Sequence, residues 1–259
     1  MEQTTGSTTA TVIVKATPVI SASHRETVCC AAVTNTLEWM RLYPVSFRYL
    51  KDGQKFGRWD RIEVQWRRPK ADKRPESYRI DQDGLTIVGK MKEGERARLL
   101  DPICVASLRA EREAGRTLAL LRPDEIFEFR AEQKSLADIH KEEDRMSAMR
   151  AQGDLLNGAE SEGVVPLEPC PYRFVYRYRD ADGEHRGTCQ DWETDATFYR
   201  FRREHGDAGA LRRMTEIFGD DYPRRGMALA MGTHSRRPDQ WLVNGVIRLD
   251  RAGHGDLFL

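Results

Sequence analysis

No apolar run in this sequence approaches the length of a membrane span. The longest uninterrupted stretch, Val28 to Val33, has six residues, against the ~20 that a spanning helix needs. Cysteine is scarce, with Cys29, Cys30, Cys104, Cys170 and Cys189 the five in 259 residues. An odd number, two of them adjacent, does not make a disulfide framework, and reduced, mostly buried thiols are expected. The first ten residues, MEQTTGSTTA, lack a basic start and an apolar segment, so no secretory signal is read there. These absences together point to the cytoplasm. Net charge is nearly absent too: 42 Lys and Arg against 41 Asp and Glu leave +1. That excludes a polyelectrolyte tail protein, and no fixed-period repeat suggests a solenoid.

Motifs with a ready-made chemistry are also missing. The sequence has no Walker loop, dinucleotide fingerprint, nucleophile elbow or Cys-x-x-Cys pair. Cys170, His185, Cys189 and His205 have the ligand chemistry for zinc, but their separations match no finger or ribbon. No metal or cofactor is therefore expected, except Mg²⁺ under one alternative given below.

What is present is a charged chain, 32% Asp, Glu, Lys and Arg, with 39% apolar residues. Residues 1–10 are Thr- and Ser-rich and read as a disordered tail. A β-rich domain is expected over 11–130. Its strands begin at Thr11 and include a hairpin of Glu26–Thr34 with Glu38–Val45, then Asp60–Arg67, where Ile62, Val64 and Trp66 alternate with charged and polar residues. Asp101 as cap and Pro102 at the first position predict a helix over 101–115, stopped by Gly115. Strands around 117–121 and 126–129 are expected to pair. Residues 131–168 form an acidic helix and linker, because 124–162 carry eleven acids against five bases.

An α+β domain follows over 169–259. Tyr172–Tyr178 alternates, Asp182-Gly183 makes a turn, helices are predicted over about 195–205 and 208–218, and a last hairpin joins 227–231 to 241–249. The fold class is α+β: a mainly antiparallel, small barrel-like N-terminal lobe, then a lobe of hairpins with helices on one face.

Position makes the basic residues informative. Of the 42, 33 are arginine, whose planar fork suits phosphates and base faces. Between Arg41 and Arg79 lie twelve bases and five acids. Arg41, Arg48, Arg58, Arg61, Arg67, Arg68 and Arg74 are candidate phosphate ligands, and Trp59 and Trp66 candidate stacking platforms for bases. The alternative is that these rings are strand core and the bases its solvated rim.

A second constellation is His185, Asp191, Glu193 and His234. Paired carboxylates in Asp191-Trp-Glu193 would share a side of an extended segment, could hold Mg²⁺ and, with a histidine base, would suit a nuclease or related hydrolase. The competing role for Asp191 and Glu193 is to cap the following helix. The acidic 124–162 segment would suit an adaptor that binds other protein subunits. The tail Gly255–Leu259 resembles short peptides that dock on sliding clamps, without their usual upstream Gln.

The segments EWMRLYPVSFRYL, KRPESYRI, YRFVYRYR, DWE and GTHSRRPDQWLVNG resemble those of an uncharacterised family of bacterial hypothetical proteins. The resemblance spans residues 12–249. It implies a nucleic-acid context, DNA or RNA, in mobile-element or antiviral defence gene neighbourhoods, and it transfers no catalytic residue.

Overall fold

The computed structural model describes residues 4–17, 19–20, 26–144, 147, 169–234 and 237–249. The chain divides into two compact units. The first comprises Met1–Lys90 with Glu132–Arg173, the second Met91–Ala131 with Phe174–Leu259.

The first unit is built on strands β1 (Thr5–Lys15), β2 (Val19–Ile20), β3 (Glu26–Thr34), β4 (Trp39–Val45), β5 (Asp60–Arg67), β6 (Ser77–Ile80) and β7 (Thr86–Lys90). The long β1 is bulged between Val12 and Val14. A bulge bends and twists a strand, and β1 pairs with β3 through residues 10–15 and with β5 through 5–11. The pairs β1–β3, β3–β4, β4–β6, β6–β5 and β5–β1 close a five-stranded barrel. Only β4 and β6 in this ring run parallel. Numbering the five ring strands along the chain gives the order 1-2-3-5-4-1 with a parallel contact between third and fifth. That is the arrangement of an OB barrel.

Val12, Val14, Cys30, Ala32, Met40, Leu42, Ile62, Val64 and Ile80 are buried in this unit. The two-residue period of β5 puts Ile62 and Val64 inside and leaves Arg61, Glu63, Gln65 and Arg67 exposed. The hairpin β3–β4 is as the sequence predicts, with Val33 opposite Trp39. Strand β1 begins earlier, at Thr5, because residues 5–11 complete the barrel against β5; the expected disordered tail is strand from that point.

After β7 come helix α1 (Glu93–Leu100), strand β8 (Cys104–Val105), helix α2 (Leu108–Glu113) and strands β9 (Leu118–Leu121) and β10 (Glu125–Gln133). The helix predicted over 101–115 is therefore two short pieces. Asp101–Ile103 makes one 3-10 turn, and Cys104 and Val105 are extended to pair with β9. Ser107, not Asp101, caps the helical turns by accepting from the Ala110 N–H, while Gly115 stops them at φ 73° as expected. Strands β9 and β10 do not pair with each other. β9 lies between β8 and β13 (Met227–His234), and β10 beside β11 (Tyr172–Asp180). A helix, α3, covers residues 136–144. The rest of the acidic linker, 145–168 apart from residue 147, lies outside the described residues.

Strands β11 (Tyr172–Asp180) and β12 (Gly183–Thr188) form the expected hairpin. Helix α4 (Trp192–Met214) continues through a π-helical segment, Thr215–Asp221, into α5 (Tyr222–Arg225). Gly206, at φ 66°, interrupts it near the predicted boundary between two helices. The last hairpin is longer than predicted, β13 (Met227–His234) with β14 (Arg237–Arg248). Ser235 and Arg236, expected in its turn, and the tail Gly255–Leu259 lie outside the described residues. Phe129, Phe174, Tyr176 and Phe218 pack together; Phe129 stacks on Phe174 with ring centroids 5.7 Å apart. Among the described residues no helix is long and apolar enough to cross a membrane.

Candidate nucleic-acid interface

Strand β5 carries its exposed face next to β1 on one side and β6 on the other. Arg67 stands opposite Thr5 of β1 and opposite Arg79 of β6. Directly opposed residues of an antiparallel pair have Cβ atoms about 4.5–5.5 Å apart, where like charges repel. Both guanidinium groups are exposed, and neither has an ion-pair partner among the described residues. The same holds for Lys51, Arg61, Lys70 and Lys73.

Arg67 and Arg79 border a groove of about 1090 Å³, which also takes in Lys51, Gln65, Trp66 and Gln82. Asp81 and Asp83 line it too, so the three cations leave it positive by a single charge. Trp66 is half-buried at the end of β5, edge-on to Tyr78 with centroids 4.9 Å apart. By the alternation of β5 it stands on the side of Ile62 and Val64, opposite buried Ile80, and it borders the groove at the strand's end.

The remaining predicted ligands divide sharply. Arg41 is 1% exposed and is not available to a phosphate, which corrects its assignment. Its Nη1 lies 3.5 Å from Ser77 Oγ and 3.9 Å from Glu76 Oε2. Burial pulls its pKa below the ordinary arginine value. The segment between Pro69 and Pro75 reaches this group through Ser77, which both Arg41 and Asp72 contact. Within it Asp72 accepts from Arg74 Nη2 at 2.6 Å and from Ser77 Oγ at 2.8 Å. Burial raises the Asp72 pKa, but these hydrogen bonds outweigh it and hold the group at about 2. Arg74 is thus committed to Asp72. Arg68 lies over the Tyr78 ring at 4.2 Å and donates to the Pro75 and Ser77 carbonyls.

Trp59 is 7% exposed at φ 74°; its indole is sealed inside and cannot stack on a base, a second correction. Arg58 is half-buried and already has a partner within the chain. Arg48 sits in the 3-10 turn Phe47–Tyr49, and its side chain lies outside the described residues. Of the nine predicted positions, Arg61, Arg67 and Trp66 retain an accessible group suited to the role. Arg79, Lys51 and the glutamines were not singled out by sequence: the pairing of β5 with β6 sets Arg79 opposite Arg67, and only the folded chain gathers Lys51, Gln54 and Gln82 at the same groove.

The second constellation is not assembled. Asp191 is buried at the N-cap of α4, where it accepts from the Glu193 N–H at 3.1 Å and the Val246 N–H at 2.9 Å. Glu193 is in the first turn of that helix, so the two carboxylates do not share a strand face. His185 Nε2 is 2.7 Å from Asp180 Oδ1, and its ring packs on Tyr178. His234 is exposed at the far end of β13. Val246 pairs with Leu229, five residues back along the strand from His234, or about 16 Å at the usual rise. Among the described residues no group of three or more His, Cys, Asp or Glu is placed to hold a metal ion.

A family model described as Domain of unknown function (DUF8757) matches residues 103–258, more than half of the chain. The chain belongs to that family. A second model, Domain of unknown function (DUF8758), matches residues 7–114. The comparison with curated proteins found no match. Among solved structures, the Ifi202 HINa domain in complex with 20-bp dsDNA is 9% identical, with a TM-score of 0.31 over 72% of this chain and 75% of that one. The tetrameric p202 HIN2 is 8% identical, with a TM-score of 0.31 over 93% and 90%. A replication protein A heterotrimer bound to ssDNA is 9% identical, with a TM-score of 0.25 over 96% and 94%. Likenesses this weak carry no argument about what this chain binds.

Proposed function

We propose that this protein binds nucleic acid through the outer face of β1, β5 and β6 in its barrel. One observation carries the reading: Arg67 and Arg79 stand opposite each other, exposed and without counter-ions among the described residues. Most other arginines nearby are engaged by acids, carbonyls or rings. A repelling pair costs the free protein stability, and a bound anion removes that cost. Phosphates on a polymer suit such a face, because Lys51 borders the same groove and Arg61 stands six residues back on the same exposed side of β5. The OB arrangement by itself does not imply this activity, since one fold hosts many functions. A role in a bacterial defence or mobile-element system rests on the sequence resemblance alone.

The test is binding of fluorescein-labelled DNA and RNA by the full chain across a salt series. Affinity should fall steeply as salt rises, because phosphate contacts release counter-ions. Affinity flat with salt, or no binding at low salt, refutes the proposal.

A further inference from the structure

Two glutamines in the groove have their amides locked in opposite senses. The Ser46 N–H donates to Gln82 Oε1 at 2.7 Å. An N–H only donates, so the atom facing it is the oxygen, and the Gln82 amide nitrogen is left to donate elsewhere. Gln54 Nε2 donates to the carbonyls of Gln82, Asp83 and Leu85 at 3.1, 2.9 and 3.1 Å. Carbonyls only accept, so here the nitrogen is spent and Gln54 Oε1 remains as an acceptor. Neither remaining atom has a partner among the described residues. Both side chains line the groove that Trp66 and Arg67 also border.

The geometry points to an unpaired nucleobase as the group read by Gln82 and Gln54. A fixed donor and a fixed acceptor on two residues that border one groove suit a base edge, which presents a donor beside an acceptor. Half-buried Trp66 borders the same groove, and an aromatic residue there suits stacking on a base. In a duplex the Watson–Crick edge is occupied by the partner strand, so the groove takes single-stranded nucleic acid. This inference rests on the phosphate-binding reading above, which supplies the cations that hold the strand.

The experiment compares a mixed-sequence single-stranded 12-mer with an abasic 12-mer of equal charge, using the full-length wild type and Gln82→Glu. The substitution keeps an acceptor for the Ser46 N–H and removes the donor. Wild type should bind the base-bearing strand tighter by roughly tenfold or more. In Gln82→Glu that ratio should fall severalfold, even though the added charge weakens binding to both strands. Equal, salt-dependent binding of both strands by wild type overturns the inference and leaves the phosphate reading standing. A ratio unchanged in Gln82→Glu overturns the role of Gln82. Absence of salt-dependent binding to either strand removes the underlying reading instead. Should Gln82→Glu fail to fold, the abasic comparison on wild type still decides.

Discussion

Replacing Arg79 or Arg67 with glutamine should weaken nucleic-acid binding and strengthen the free fold at the same time. Arg67 and Arg79 are directly opposed residues of β5 and β6. Removing either charge relieves a repulsion of roughly 0.2–1 kcal/mol between directly opposed residues. On binding, each arginine that neutralises a phosphate contributes about 0.7 to the slope of log K against log salt for a single strand. At 0.1 M salt that corresponds to on the order of fivefold in affinity per contact, and roughly 25-fold for the double variant. Glutamine retains length and polarity, so packing of the exposed strand face is little changed. The control is Arg213→Gln, which removes the same charge from the second unit, where Arg213 is paired with Glu216 at 2.7 Å. The assay is fluorescence anisotropy from 50 to about 300 mM salt, with urea denaturation of each variant in parallel. Equal slopes for wild type and the Arg67/Arg79 double variant refute the assignment. So does an equal loss from Arg213→Gln, since net charge alone would then explain the effect. A fall in stability in both single variants would show that the pair does not repel in the free protein.

Asp191→Ala should destabilise the second unit by about 2–4 kcal/mol, because it removes a helix cap and leaves the buried Val246 N–H without its acceptor; urea denaturation measures it. If wild type cleaves nucleic acid with Mg²⁺, Asp191→Asn should cleave equally once corrected for the folded fraction, and a selective loss of cleavage would restore Asp191 to a catalytic role. The Asp72 pKa is depressed to about 2, below the ordinary carboxylate value. Its contribution, about 2 kcal/mol, is therefore fully present above pH ~4 and lost as pH falls towards 2. Asp72→Asn should flatten the stability profile in that window, and an unchanged profile would refute the assignment. Gly209→Ala should lower the melting temperature by several degrees, since a Cβ there would lie 2.6 Å from the His205 Cβ, which no side-chain rotation moves.

The two-residue period was enough to read β5, because it buries one defined face and a slip would expose it; the β3–β4 hairpin was read although residues 30–33 and 40–42 are buried on both faces. Turn chemistry marked Gly115 and the Asp182-Gly183 hairpin for similar local reasons. Strand β7 and helix α1 were not legible. β7 has no buried side, and α1 buries only Leu100, so neither leaves a hydrophobic pattern. Pro102 misled because a proline suits a single 3-10 turn as well as a helix start, and pairing with β9 pulled Cys104 and Val105 into a strand.

The chain by itself determined where cations and rings are concentrated and which strands would have a polar face. It could not distinguish Arg41 from Arg67, which carry the same group in the same basic stretch. Only the closing of the barrel did so, by placing Glu76 and Ser77 over one and a second bare arginine opposite the other. The physical reason is that a charge's availability depends on what lies within a few ångströms of it, and those neighbours come from distant parts of the sequence.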